Sequence, residues 1–580
     1  IFGCRPTTGC CSAAARIRPA LRPPRSPKRS GAAWPACSRS SATCASTMRG
    51  AASSTSPATA RRISARSIRT SSTFRASAAT ASHSPASPGA RLPARSRATR
   101  ARSTCSPACA TGASPAATPG GNPRSNSGCC TTACASCSEP TSSVLLTMQT
   151  FANQPHVASY YAATANDTTR HAPLAGTIDA DVCVIGAGLT GLSAALNLAE
   201  RGHSVTVLEA SRVGWAASGR NGGQLIGGFA CDIDTFGQFM PEGDVKRIWD
   251  MGLETLSLVK SRIAQHDIDC ALVPGYLTAA NTERDADGLK RWRDEAAKRF
   301  GYDRFHFVEA DELGDYVQSE RYCGGLYDPD SGHLHPLNYT LGLARAATEA
   351  GVRIHEDSCV TRVRDVAGGH VVETSGGNVR ARFVVLACNT FVGTLAPALS
   401  KKIMPVGTYV IATEPLGDAR AAALMPARAA ICDSRFVLDY FRPAPDTRLV
   451  WGGKVSYSTR EPRDLAAAMR ADMLKTFPQL ADVKVEYAWG GFVDITMNRA
   501  PHFGRIAPTM YFAQGFSGHG VNTTALAGKL IAEAINGQAS RFDLFDKIRH
   551  RDFPGGEALR TPALVLAMSW YRLLDAFGVH

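Results

Sequence analysis

The stretch Asp181–Ala195, DVCVIGAGLTGLSAA, decides the fold. Val182 to Ile185 reads as a short apolar strand, Leu189, Leu192, Leu196 and Ala199 recur at helical spacing, and SVTVLEA (204–210) reads as the next strand. The order is β-α-β, and Gly186, Gly188 and Gly191 stand between strand and helix as G-x-G-x-x-G. In that context the first glycine permits a tight turn, the second lets a pyrophosphate approach the backbone, and the third lets helix and strand pack closely. Free N–H groups at the helix start then face the anionic diphosphate. Glu209 ends the second strand 21 residues after Gly188, where a carboxylate accepts hydrogen bonds from ribose hydroxyls and repels a 2′-phosphate. A bound dinucleotide other than NADP is predicted.

Two further glycine-rich segments say which dinucleotide. ASGRNGGQ (217–224) begins seven residues after the second strand. A nicotinamide dehydrogenase has no need of it, whereas a dinucleotide carrying a tricyclic ring needs backbone wrapped close to its pyrophosphate and ring edge. Ser218 can donate to phosphate, and Gly219, Gly222 and Gly223 allow main-chain N–H groups to face the ring, with Asn221 and Gln224 beside them. GFSGHG (515–520) leads into a helix whose Leu526, Leu530 and Ala534 face the core. A helix N-terminus there stabilises negative charge on a reduced flavin by about 0.3–1 kcal/mol, and by up to ~2 if partly buried. Gly515, Ser517, Gly518 and Gly520 are expected at the cofactor, and His519 is the candidate catalytic group, adding a hydrogen bond or positive charge. Ala210, after Glu209, and Ala387, at the end of RARFVVLACNT, complete the expected cofactor set.

Charge divides the chain. Residues 1–147 hold 20 Lys and Arg against one acid, Glu139, while the rest carries 44 basic and 48 acidic residues. The overall +15 therefore describes the first segment, which is rich in Ser, Ala, Arg and Pro, has no apolar period and cannot bury a core. Residues 1–147 are read as a disordered extension translated from DNA upstream of the real start near Met148; peptides from that segment in the native protein would overturn this. Nucleic-acid binding through the basic segment is the weaker alternative, and no nucleic-acid or membrane partner is expected. Eleven of the 18 cysteines lie there, and the other seven are scattered without metal spacing, as reduced thiols of a cytoplasmic protein would be. No metal is expected, and the sequence leaves the oligomeric state open.

The rest divides into an arm (148–177), a discontinuous cofactor domain (178–231, 331–402 and 496–560), a substrate domain (232–330 and 403–495) and a C-terminal helix (561–580). Residues 232–330 read as helical, interrupted by the strand-like ALVPGYLTAA. PVGTYVIATEP, RLVWGGKVSY and VEYAWGGFV read as strands and DLAAAMRADMLKTF as a helix.

On SYYAATAN (159–166), the glycine-rich run from Asp181 to Leu225, SGHLHPLNY (331–339), MPVGTYVIATEPL (404–416), LKTFPQLADVKVEY (474–487) and GFSGHGVNTTALAGKLIAEAI (515–535), the chain resembles the FAD-dependent D-amino acid oxidase family over essentially all of 148–580. Ala216 stands where relatives often have glycine. The resemblance implies an α/β fold, a Rossmann-like FAD domain of discontinuous segments, roofed by a β-sheet substrate domain. It also implies oxidation of a C–N bond to an imine that hydrolyses to aldehyde and ammonia, with oxygen reoxidising the flavin to give hydrogen peroxide. A small-molecule primary amine is the expected substrate, and an amino acid, sarcosine or glycine the runner-up. No His or Cys lies within ASGRNGGQ, so the FAD is expected to be non-covalent. Tyr440, in LDYF, is the candidate substrate-binding residue, Arg442 or Arg499 could meet a carboxylate, and His333 and His335 of GHLHP could move a proton or be structural.

Overall fold

The computed structural model describes residues 153–435, 437–456 and 463–554. Residues 1–147 and the helix expected at 561–580 lie outside them.

The opening stretch folds as its pattern dictates. Its strand is longer than the apolar run, Gly176–Ile185, with Val182–Ile185 wholly buried. Val205–Leu208 and Gly377–Leu386 flank it, both parallel. Arg353–His355 and Met510–Gln514 continue the parallel sheet outward, and His502–Ala507 closes one edge antiparallel. Strands covered on both faces need continuous apolar sequence, which is why VCVI, VTVL and FVVL read alike. Their side chains alternate between two cores: Val182, Val184, Val207 and Val385 join one with the helices, while Cys183, Ile185, Leu208 and Val384 join another with the hairpin Val360–Val366/Gly369–Thr374. Leu189–Ala199 packs between Pro336–Glu349 and Gly520–Ile535, and Glu242–Gln265 packs against the last of these. A Cβ on Gly528 would stand 2.4 Å from Ser193 Oγ, so that glycine sets how closely two of the helices approach.

The second sheet runs Val485–Ile495, Met404–Thr413, Leu449–Ser456, Tyr440–Pro443, Ala430–Asp433, Val273–Ala280, Gly324–His333, Gln224–Leu225, with His306–Val308 also paired to Gly324–His333. Pairing is antiparallel except between Ala430–Asp433 and Val273–Ala280. One face buries Leu277, Ile411, Ile431, Phe441 and Trp451 against Met469, Met473 and Phe477 of the 465–480 segment. Phe441 and Trp451 stack at 4.9 Å.

Two regions differ from the sequence reading. Residues 232–330 carry the helices Glu242–Gln265 and Glu283–Glu295, but also the strands His306–Val308 and Gly324–His333. GGLYDPDSGH has three glycines, a proline and two aspartates, so its intrinsic strand preference is poor, and pairing along both its edges imposes the strand. The arm is also more than a polar lead-in. Tyr161 is fully buried, with its ring 4.9 Å from His335 and 5.1 Å from Trp489, and the indole of Trp215 donates to Pro155 O at 2.8 Å. No helix among the described residues is long and apolar enough to cross a membrane.

Candidate active site

The first glycine turn is built by close approach. Gly186 has φ +107°, and a Cβ there would lie 2.8 Å from Ala387 O. A Cβ on Gly191 would lie 1.9 Å from Gly186 O, so the third glycine is where the helix meets the turn. Gly188 caps the helix without a side chain, and Ser218 Oγ, arriving from the second glycine segment, accepts the Leu189 N–H at 2.9 Å. Glu209 Oε2 accepts the Ala187 N–H at 2.8 Å and Oε1 the Ser211 N–H at 2.9 Å. Burial pushes its carboxyl above the usual carboxylate range, against those two hydrogen bonds.

These residues face a cavity of about 1070 Å³ lined by Gly186, Gly188, Glu209, Ala210, Ser218, Asn221, Ala387, Gly518 and Gly520. The starts of Leu189–Ala199 and Gly520–Ile535, more than 300 residues apart, open on it together. The other expected cofactor residues lie behind this surface. Gly219 packs on Gly214 O, and Gly222 on the Tyr440 ring. Gly223, at φ +77°, packs on Leu334 O and gives its N–H to Asn221 Oδ1. Gln224 Nε2 donates to Ile431 O at 3.2 Å. Gly515, at φ +76°, donates its N–H to the buried Asp494 carboxylate, and Ser517 Oγ donates to Gly515 O at 3.2 Å. Burial raises Asp494 to about 6. Sequence reasoning missed Asp494, Trp215, Asn389, Thr390 and Phe391, which line the same cavity without glycine or spacing to mark them. Asn389 Oδ1 and Thr390 Oγ1 are buried there with no partner. An elongated cavity joining a dinucleotide turn to a second helix start, with orphaned polar atoms in its wall, fits FAD.

A second cavity of about 1020 Å³ meets the first at the GFSGHG turn, where His519 lines the second and its neighbours Gly518 and Gly520 line the first. Its roof is one face of the second sheet: Tyr276 and Thr278, Leu326 and Asp328, and Cys432, spaced two residues apart on their strands. Phe229, Phe236, Trp249, Trp292 and Phe305 complete its aromatic wall. No Lys or Arg is among its lining residues.

His519 occupies the N-cap position of Gly520–Ile535 but makes no capping bond. Burial lowers its pKa to about 3, which favours the neutral imidazole over the cationic one. Tyr440 lies against Gly222 and Gly452 and lines neither cavity, and burial raises its phenol. Arg442 is buried and committed to Gly222 O at 2.8 Å and Tyr161 OH at 3.1 Å. Arg499 lines neither cavity. His335 caps Pro336–Glu349, its Nδ1 accepting the Asn338 N–H at 3.1 Å, and His333 Nε2 meets Arg428 O at 2.9 Å. The structural reading of GHLHP is the one the geometry carries.

The family model for FAD dependent oxidoreductases (DAO) matches residues 181–534. The chain is 43% identical over 434 residues to the probable oxidoreductase OrdL of Haemophilus influenzae, covering 74% of this chain and 100% of that protein. It is 42% identical over 425 residues to the gamma-glutamylputrescine oxidoreductase of Escherichia coli, covering 73% and 99%. The glycine oxidase structure from Bacillus cereus superposes with a TM-score of 0.54 at 23% identity, over 64% of this chain and 99% of that one, which shows a shared fold. With the matched segment spanning both glycine turns and the roof between them, the chain belongs to the DAO family of FAD-dependent oxidoreductases.

Proposed function

We propose that the chain oxidises the primary amine of γ-glutamylputrescine, or a close N-acyl diamine, in putrescine catabolism. The balanced reaction takes R–CH2–NH2, O2 and water to R–CHO, NH3 and H2O2. Bound FAD would supply the acceptor for the hydride of the α-carbon, which carries the two electrons. The observation that carries the reading is the second cavity, which is aromatic, carries one carboxylate and is lined by no Lys or Arg. Glycine or sarcosine would bring a carboxylate next to the reacting carbon, where no cation lines the cavity; in γ-glutamylputrescine the carboxylate is at the far end of the molecule from that carbon. Desolvation beside the flavin would shift the reacting amine toward its neutral form, and the neutral amine is the form whose lone pair assists hydride loss. His519, at the turn between the two cavities, can hydrogen-bond that amine. The N-terminus of Gly520–Ile535 would offer partial positive charge to a flavin reduced in the first cavity. Identity to the E. coli enzyme over nearly its whole length supports the substrate class, and the seven free cysteines fit a reducing cytoplasm.

The test is peroxide release and anaerobic bleaching of the flavin across a panel of γ-glutamylputrescine, putrescine, sarcosine and glycine. Fastest turnover of γ-glutamylputrescine with stoichiometric peroxide is expected. Turnover of sarcosine or glycine with none of γ-glutamylputrescine would overturn the reading, and bleaching without peroxide would make the enzyme a dehydrogenase.

A further inference from the structure

The roof of the second cavity contains an anion without a counter-ion. Asp328 is 8% exposed, lines the cavity and pairs across the sheet with Tyr276. No Lys, Arg or His among the described residues forms an ion pair with it, whereas its neighbour Asp330, nearer the surface, pairs with Arg304. The strand is shaped around this carboxylate. Register slips between the pairs Tyr276–Asp328 and Pro274–Gly332, so residues 329–331 bulge, and the bulge folds back on Asp328. Oδ1 accepts the Asp330 N–H at 3.0 Å and lies 2.9 Å from the Tyr302 hydroxyl, whose single proton it shares with Asp330 Oδ2 at 3.2 Å, and Oδ2 accepts the Ser331 hydroxyl at 2.5 Å. Three donors hold the carboxylate in place, yet donors alone do not neutralise a buried charge, which remains unfavourable until a cation joins it. Phe229, Trp249, Tyr276, Trp292 and Phe305 line the same cavity, and aromatic rings attract a cation.

We infer that Asp328 receives the substrate's second ammonium group, the one remote from the reacting carbon. The inference rests on the amine reading above and adds how such a substrate is told from a simple alkylamine. The reacting amine must enter neutral beside His519, while the remote ammonium stays charged and completes the ion pair that the fold leaves open. The chain between the two, four methylenes, an amide and the glutamyl methylenes, would lie along the rings, and the carboxylate that shares a carbon with the remote ammonium would face Arg304 beyond Asp330. Asp328 is thus a specificity residue with no part in the electron transfer.

The test is a pair of unreactive ligands, γ-glutamyl-n-butylamide and N-butylglutaramate, which differ only in the α-ammonium. Each is titrated into the FAD-loaded protein while the flavin absorbance is followed. The native protein should prefer the first by about 10- to 100-fold, the range for a hydrogen bond to a charged partner. In Asp328→Asn, which keeps size and shape, the preference should fall to near unity with the flavin spectrum unchanged. Should that variant fail to hold flavin, Tyr302→Phe removes one of the three donors and should cut the preference several-fold. No preference in the native protein, or a preference untouched by these substitutions, overturns the inference. These ligands lack the terminal amine that the proposed reaction oxidises, so an intact preference beside absent γ-glutamylputrescine turnover would refute the proposed reaction and leave the ammonium subsite standing.

Discussion

The two cavities have nearly equal volume and opposite construction. The first is organised by backbone: two glycine turns and two helix starts from segments more than 300 residues apart, with Trp215, Phe391 and Phe516 among the side chains beside them. The second is made of side chains, aromatic rings and one carboxylate set at period two on a sheet face and along a helix. The first glycine turn tolerates almost no substitution, because a Cβ on Gly186 or Gly191 would overlap backbone. A side-chain-built surface can be rewritten residue by residue with the fold intact. Family members can therefore share the first cavity and differ in the second, which is why the fold and the FAD requirement follow from the family while the substrate has to be argued from this chain's own residues.

The sharpest way to break that contrast is Gly191→Ala. Its Cβ would sit 1.9 Å from Gly186 O, a backbone atom inside the turn, so either the helix moves or the turn opens. Complete loss of retained flavin is expected, read as the 450 nm to 280 nm absorbance ratio of the purified protein. Phe305→Leu, in the second cavity, should leave that ratio unchanged and alter only the amine KM. A yellow Gly191→Ala protein would mean that the turn is less constrained than the geometry says.

The same contrast explains what the sequence reveals. Gly186, Gly188 and Gly191 are legible because a steric requirement leaves one residue type possible, and the strand and helix around them supply the context. Asn389, Thr390 and Asp494 reach the same cavity from a short turn and a strand end, where nothing local marks them. Gly222 and Gly223 are legible as necessary glycines, but their partners are the Tyr440 ring and Leu334 O, contacts that only the assembled sheet discloses. Asp328 is hidden more deeply, because GGLYDPDSGH lacks the character of a strand and its orientation depends on a bulge set by the neighbouring strand. Alternation predicts which residues share a face, and it cannot say which strands become neighbours.

Next in size is an acid sensitivity carried by buried histidines. Burial lowers His333, His335 and His519 to about 3, and His502, in the edge strand of the parallel sheet, and His550 beside it to about 2 and about 4. Between those values and 6.5 the unfolded chain binds protons that the folded one refuses, so stability falls as pH falls. Asp494 and Asp439, raised by burial to about 6, act oppositely, since below that value the folded chain binds the extra proton. The histidines prevail: His156, His171 and His266 are lowered as well, against two more raised acids, Glu209 and Asp546. Unfolding below pH 6.5 should therefore take up protons, and stability should fall with pH. Urea unfolding at pH 5, 6 and 7 measures it, and a flat profile would show that these imidazoles are reached by water.

Glu209→Ala tests whether the regions are separable. It removes the acceptor of the Ala187 and Ser211 N–H groups and the carboxylate available to ribose. FAD affinity should fall by roughly 10- to 100-fold, the worth of hydrogen bonds to a charged group, measured by flavin fluorescence on titrating the cofactor-free protein. At saturating FAD the amine KM should stay within about two-fold, because the carboxylate lines only the first cavity. A KM that moves as far as the FAD affinity would show that the two cavities respond as one.

Ser218→Ala has the smallest expected effect and shows how little the first cavity relies on side chains. Gly188 at the N-cap has no side chain to give, so Ser218 Oγ, borrowed from the second glycine segment, accepts the Leu189 N–H at 2.9 Å. Losing such a cap typically removes about 1 kcal/mol. A diphosphate at the helix start offers its own oxygens to the N–H groups there, so bound FAD can replace the lost acceptor. The fall in Tm should therefore be larger for the cofactor-free protein than for the FAD-loaded one, with FAD binding only a few-fold weaker. An equal fall in both states would mean that the Leu189 N–H is not within reach of the cofactor, and that the helix start contributes to the site through its dipole alone.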